Sequence, residues 1–245
     1  MDVRWMERAQ LLGSARDVRG RTEIAAIGAR ELITPAQASA WARAVLAARE
    51  DWTSDFDGEQ FTLGRAFYTH YETDQSDAYF EHAAESDAIV ERHLPGMQQH
   101  MRDLVTMLTG GVVRARRDWC GAGVHVFPAG GEVAHKGGVV HFDIEGLSEK
   151  HARDKRPALT IVAMLQEPED GGGLKLWDVR FRGRDAPNDA ELAAPSVVAR
   201  YGVGGTLAID SYRMHQIQPF TGDRDRVSIT IHAAEIDEGV WETWF

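Results

Sequence analysis

The chain has 245 residues, with 27 Lys and Arg against 38 Asp and Glu and a formal net charge of −11. That balance argues against a bulk nucleic-acid substrate, because such binding rests on neutralising phosphates with basic side chains. The single cysteine, Cys120, rules out an internal disulfide; with no apolar signal core and no run near the ~18 apolar residues of a membrane span, a soluble, cytoplasmic protein without a membrane partner is expected, one domain over 1–245.

Thr34 and Pro35 read as an N-cap and first helical position, opening a helix over Ala36 to Glu50. Phe61, Leu63, Phe67 and Tyr68 mark Gln60 to Tyr71 as a strand or strand pair. A second helix is expected over Ser76 to Arg92, and Pro95 restarts a third that runs to Leu108 and stops at Gly110 and Gly111. Residues 1–111 are therefore expected to be a helical buttress with a few strands, packed on one sheet.

From Val112 the texture changes to short β-rich runs separated by Gly, Pro and Asp: Val112 to Arg116, Gly123 to Phe127, Val139 to Phe142, Leu159 to Leu165, Leu174 to Trp177, Ser196 to Ala199, Thr206 to Asp210 and Val227 to His232. Such spacing over 112–245 indicates a sandwich or barrel rather than a parallel α/β sheet. Arg114 to Arg117 reads as solvated surface, and Gly183 to Pro195 as an exposed loop beside a cavity mouth. The tail, Val240 to Phe245, is too aromatic to fray; it is expected to dock, either as a lid or at the subunit contact of a homodimer.

The chemistry gathers on four residues: His141 and Asp143 in His-Phe-Asp, then His215, then Arg226 in Arg-Val-Ser. His-x-acid alone is weak, and the chain holds a second instance in His70-Tyr71-Glu72. Residues two apart on an extended segment point to the same side, so His141 and Asp143 can approach one ion. Two imidazoles and a carboxylate can hold one face of an octahedral Fe(II), leaving the opposite face for a chelating cosubstrate and O2. Val227 to Ile231 alternates apolar and polar, which puts Arg226, Ser228 and Thr230 on one face. A guanidinium inside a β-rich core calls for an anion, and its planar fork suits a carboxylate, here the far end of a 2-oxo diacid with Ser228 adding a hydroxyl.

Over Gly123 to Ala234 this pattern resembles the Fe(II)/2-oxoglutarate-dependent dioxygenase superfamily in its prolyl-hydroxylase-like branch. Ala158 to Asp178, with Gly171-Gly172-Gly173-Leu174, is similar to the paired strands that follow His-x-Asp there, and Tyr201 to Ala234 to the closing strands. The resemblance implies a mainly β fold with α, a double-stranded β-helix (jelly roll) buttressed by N-terminal helices. It also implies iron on His141, Asp143 and His215, and 2-oxoglutarate on Arg226 and Ser228. His125, a rival for the ligand role together with His135, would on this pattern line the cosubstrate pocket, and Thr160 offers it a hydroxyl. The activity implied is hydroxylation of an unactivated C–H of a small molecule, a free amino acid or natural-product intermediate, with release of succinate and CO2. Related halogenases carry Gly or Ala where Asp143 stands, which favours hydroxylation over halogenation but leaves desaturation, epoxidation and ring formation open. Peptidyl-prolyl hydroxylation, or a cupin-like metal enzyme without 2-oxoglutarate, are the alternatives. For substrate the sequence offers Arg65, Tyr68 and His70, His135 beside the ligand pair, and Trp241 in the tail.

Overall fold

A computed structural model describes residues 1–20 and 23–245. Its strands in chain order are β1 (Asp2–Met6), β2 (Ile24–Ala29), β3 (Thr53–Asp55), β4 (Gln60–Leu63), β5 (Val112–Ala115), β6 (Gly123–Phe127), β7 (Ala158–Gln166), β8 (Asp170–Gly171), β9 (Leu174–Arg180), β10 (Ser196–Ala199), β11 (Thr206–Asp210), β12 (Arg213–Ile217), β13 (Phe220–Thr221), β14 (Arg226–Asp237) and β15 (Val240–Trp244). Among the described residues ten of them form one sheet, ordered β1-β2-β11-β7-β14-β6-β4-β3, with β15 joining β14 to β5. A smaller sheet, β10-β9-β12, carries His215, and β13 pairs with β8. The protein is thus mostly β with helices.

The long strand β14 shows how sequence alternation builds the layers. Val227, Ile229, Ile231 and Ala233 are fully buried and join Leu159, Ile161 and Ala163 of β7 in the main apolar cluster. The same cluster takes in Trp41 and Val45 from the helix Pro35–Ala47, Val90 from Ala83–His93, and Met97, Met101, Leu104, Val105 and Leu108 from Met97–Thr109. Each fully buried Ile or Leu of this layer contributes roughly 1.5–3 kcal/mol. The opposite face of β14 presents Arg226, Ser228, Thr230 and His232, all inside the curved sheet system.

Thr34 caps the helix Pro35–Ala47 by accepting from the Gln37 N–H, as its sequence position predicts, and Gly110, in the left-handed region at φ +69°, ends Met97–Thr109. The helix expected over Ser76 to Arg92 is broken at His82 into Ser76–Glu81 and Ala83–His93.

Four expectations are corrected. Gln60 to Tyr71 is a strand only to Leu63; past Gly64, at φ +93°, the chain turns into a helix, Phe67–Glu72, where Phe67 stacks on Tyr71 one turn on. Its aromatics carry β propensity, but that signal reflects packing on a half-buried surface and does not fix the backbone. Val139 to Phe142 forms no strand, only the single bridge His141↔His215. The boundary at 111/112 runs through one sheet, since β1 to β4 all belong to it. Arg116 is not solvated: it lies over the rings of Trp244 at 4.0 Å and Trp119 at 4.6 Å and donates to Gly146 O.

The tail is neither lid nor frayed end but strand β15, antiparallel to β14 and parallel to β5. Its last residue, Phe245, packs where Gly123 of β6 lacks a side chain; a Cβ there would sit 2.2 Å from the Phe245 ring. Gly123→Ala should therefore expel the ring and cost about 1–3 kcal/mol, read as a lower urea midpoint with unchanged m. An unaltered midpoint would show that the tail does not depend on this contact.

Candidate metal centre

His141 and Asp143 lie on an extended segment tied to its neighbours by backbone bonds. His141 and His215 exchange N–H···O=C bonds at 3.1 and 3.0 Å, and the Asp143 N–H donates to Ser211 O at 2.9 Å. The bridge brings the imidazoles to a centroid separation of 4.3 Å. Asp143 reaches both: Oδ1 lies 3.4 Å from His141 Nε2, and Oδ2 lies 3.3 Å from His215 Nε2. All three ligand atoms fall within 4.8 Å of one another, the one such group found among the described residues.

The ring orientations suit a cation. His141 Nδ1 bonds to Val139 O at 2.8 Å and His215 Nδ1 to Arg213 O at 2.9 Å. A carbonyl only accepts, so each Nδ1 carries a proton and each Nε2 is turned toward Asp143. Burial pushes His215 down to about 4 against the pull of Asp143, keeping it neutral near pH 7. Burial also opposes the charge on Asp143, but His215 and His141 outweigh it and hold the carboxyl well below its usual range. Asp143 Oδ2 is buried without a hydrogen-bond donor, the expected state of a carboxylate oxygen meant for a metal. The side chains of His215 and Asp143 are 6% and 10% exposed and that of His141 is 38%, so access is from the His141 side. Against its burial, the Asp143 carboxylate raises His141 to about 9; with that proton displaced, two imidazoles and one carboxylate are the donor set of a facial triad with open positions, and the residues fit Fe(II).

Arg226 lies 1% exposed, and both its charge and that of Asp143 act on the buried His125 imidazole. Its Nε donates to Gly172 O (2.9 Å), Nη1 to Ser228 Oγ (3.0 Å) and Nη2 to Tyr201 OH (2.7 Å), and its plane sits 5.5 Å from the Phe127 ring centroid. No carboxylate of the described residues pairs with it. A guanidinium this deep without a counter-charge is costly, and it marks a site for an anion.

The structure orders the remaining sequence-derived residues along β14. Ser228 faces Met164 on β7 and His125 on β6, while His232 faces Thr160. Thr160 is thus at the far end of the strand from Arg226, and its hydroxyl bonds Ser211 Oγ and His232 Nδ1, each at 3.1 Å. It does not share the Arg226 end. Both ring nitrogens of His125 meet protein groups, Nε2 with Tyr68 OH and Nδ1 with Thr230 Oγ1, each at 3.2 Å. Burial first, then His232 and Arg226, push its imidazole down to about 3.

Tyr68 alone of the proposed substrate residues reaches this interior, through His125 and through a short bond from Gln60. Arg65 turns to His70 Nε2 at 3.0 Å and borders a cavity of about 250 Å3 with Glu50, Asp51 and Glu85, which no triad residue lines. His70 is buried, bonded through Nδ1 to Ala66 O. His135 is exposed on the short helix Glu132–Lys136. Trp241 is a correction: it is 4% exposed among the helices of the main apolar cluster. The tail residue on the site's side is Trp244, whose ring stacks on His232 at 5.8 Å.

Sequence reasoning missed His232 and Tyr201. His232 continues the alternation Arg226, Ser228, Thr230 by one step and was within reach of the same rule. Tyr201 lies between β10 and β11, where no local periodicity announces its partner.

Near this interior, Asp55 on β3 accepts from Thr62 Oγ1 at 3.1 Å, and burial pushes its carboxyl up to about 6. The folded state favours the neutral acid, so this contribution is complete below pH 3.8 and is lost as pH rises through 6. The difference is about 3 kcal/mol at 1.36 kcal/mol per unit. Asp55→Asn should match the wild type near pH 4 and exceed its stability at pH 7.5 in urea melts. A pH-independent gap between the two proteins would refute the assignment.

No family model and no curated relative matches the sequence. Solved structures do match in fold. The carbocyclase SnoK from nogalamycin biosynthesis aligns over 95% of this chain and 87% of its own at TM-score 0.63 and 14% identity. An N-substituted L-amino acid dioxygenase from Burkholderia ambifaria AMMD aligns over 94% and 91% at TM-score 0.59 and 14% identity. The epimerase SnoN aligns over 90% and 85% at TM-score 0.56 and 14% identity. SnoK and SnoN are described as non-heme, α-ketoglutarate-dependent enzymes; SnoN has been solved with Fe3+ and α-ketoglutarate, and the dioxygenase with α-ketoglutarate. At this identity the likeness carries the jelly-roll fold.

Proposed function

We propose that the protein is an Fe(II)- and 2-oxoglutarate-dependent oxygenase that hydroxylates a C–H bond of a small molecule. The observation that carries this reading is the pairing of a two-histidine, one-carboxylate cluster with the uncompensated, buried Arg226. Either feature alone has other uses; together they match one face of a metal and the far carboxylate of a chelating diacid.

Iron with bound 2-oxo acid supplies O2 activation coupled to oxidative decarboxylation, so that substrate R–H, O2 and 2-oxoglutarate give R–OH, succinate and CO2. The chain supplies position. His141 and His215 would bind through Nε2 and Asp143 through a carboxylate oxygen, while the backbone bridge between the histidines keeps their spacing. Arg226 and Ser228 would hold the far carboxylate and so set the direction from which the keto acid reaches the metal. The half-exposed His141 side leaves room for the substrate, with Tyr68, His232 and Trp244 among the side chains near the interior. A free amino acid or natural-product intermediate is favoured, since the proteins of similar fold are described as acting in nogalamycin biosynthesis or on N-substituted L-amino acids. Asp143 favours hydroxylation over halogenation by filling the position a halide would need.

The test is anaerobic addition of 2-oxoglutarate to the Fe(II)-loaded protein. A weak visible metal-to-ligand charge-transfer band is expected, followed in air by succinate formation. Absence of the band would end the cosubstrate assignment, and a succinate-release screen over amino acids and small carboxylates would then identify the substrate if the band is present.

A further inference from the structure

Arg213, two residues before His215 on β12, is fully buried. The ladder beside it is broken. Between the pairs Arg213↔Arg180 and His215↔Leu176, β12 spends only Met214 where β9 spends Trp177, Asp178 and Val179, so those three residues bulge against β12. The guanidinium spans that gap. Nη1 donates to Trp177 O at 2.9 Å and lies 3.6 Å from Asp178 Oδ1, both on the bulge, while Nη2 donates to Ile24 O on β2 at 3.3 Å. One side chain thus ties the small sheet to the large one at the strand that carries His215.

Stability alone does not explain an arginine here. Its Nε meets no acceptor among the described residues, and its nearby carboxylate, Asp178, is 39% exposed. A buried ion with so incomplete a set of partners is often worth less to a fold than an apolar side chain of similar volume. The backbone shows what the arrangement holds. Arg213 O accepts from His215 Nδ1–H at 2.9 Å, the bond that turns His215 Nε2 toward Asp143. The acceptor for the other histidine is held differently: His141 Nδ1 donates to Val139 O, and Val139 is 81% exposed.

We propose that Arg213 is a positioning residue for the metal centre: by bridging the β9 bulge it fixes its own carbonyl, and that carbonyl fixes the ring of His215. His215 is then the rigid arm of the site and His141 the adjustable one. The proposal rests on the metal site proposed above. In the experiment, Fe(II) is titrated anaerobically into wild type, Arg213→Met and a control, Val90→Ala, each well below its melting temperature. Met keeps most of the volume and removes the donors, whereas Val90 lies in the main apolar cluster away from the triad. NMR of the ring nitrogens in the metal-free proteins shows which nitrogen of His215 carries the proton.

Arg213→Met should bind Fe(II) roughly ten- to hundredfold more weakly, the usual effect of losing a partner behind a metal ligand. Its His215 ring should spread over both tautomers, where the wild type holds the proton on Nδ1. Val90→Ala should melt lower and keep the wild-type Fe(II) affinity. Unchanged affinity or an unchanged tautomer in Arg213→Met would overturn the proposal. An equal loss of affinity in Val90→Ala would also overturn it, by making general stability the cause. If Arg213→Met does not fold, Arg213→Lys takes its place, since an ammonium lacks the planar fork that spans Trp177 O and Ile24 O. A wild type that binds no Fe(II) would instead overturn the metal site on which the proposal rests.

Discussion

Asp143→Ala is expected to remove iron-dependent chemistry while leaving the fold in place. The carboxylate is the only anionic donor in the cluster and stands 3.4 and 3.3 Å from the two imidazole Nε2 atoms. Without it two neutral rings face the ion, and nothing offsets its desolvation. Loss of an outer partner of a metal ligand already costs about 10- to 100-fold in affinity, so removing the ligand itself should cost at least the upper figure. Thermal melts make this measurable without a known substrate. At iron about 100-fold above Kd the wild type gains ~2.7 kcal/mol, whereas a hundredfold weaker variant gains only ~0.4 kcal/mol. For a chain of this size the wild-type gain is a Tm rise on the order of 5–10 °C, and the variant should show about 1 °C. Succinate formation should vanish with it. A variant that kept both the Tm rise and turnover would take Asp143 out of the metal site.

How much of this was legible depended on whether a signal was local. The triad and Arg226 were readable because their side chains sit on extended segments where two-residue alternation assigns faces, and because His-x-Asp and Arg-x-Ser are each short. Strands with β-branched runs, such as Gly123–Phe127 and Thr206–Asp210, were legible with their boundaries. Strand β2 was not: Ile-Ala-Ala-Ile-Gly-Ala is buried on both faces, so it shows neither alternation nor bulky β-formers. Phe67–Glu72 was misread because aromatic residues that pack as a helix in one context pack as a strand in another.

The residues around the candidate metal centre divide by the same rule. Trp241 and Trp244 are equally aromatic in the sequence, and the tail's attachment to β14 decides which faces the site. Pairing of Trp244 with His232 and of Trp241 with Glu235 puts them on opposite sides of the sheet. Tyr201 reaches Arg226 across 25 residues and a change of sheet, and only tertiary structure reveals that bond. Long-range partners of this kind explain why the clustering of His141, Asp143 and His215 was legible in the sequence and the side chains that surround it were not.

Arg226→Ala is the second large effect, and it separates the two halves of the site. Among the described residues no carboxylate pairs with this guanidinium, which offers two free N–H groups beside Ser228 and Tyr201, which it orients. Hydrogen bonds to charged groups contribute about 1.5–3 kcal/mol each, so losing a two-point contact should raise the 2-oxoglutarate requirement by roughly two to four orders of magnitude. The proposed iron ligands are other residues, so the Fe(II)-dependent Tm rise without 2-oxoglutarate should match the wild type. The further rise that 2-oxoglutarate gives the wild-type iron complex should disappear at the same concentration. Destabilisation of the fold would lower both melting curves together, whereas loss of an anion site removes only the second increment. Equal loss of iron and 2-oxoglutarate binding would mean that Arg226 organises the whole interior, and its role as a carboxylate anchor would have to be abandoned.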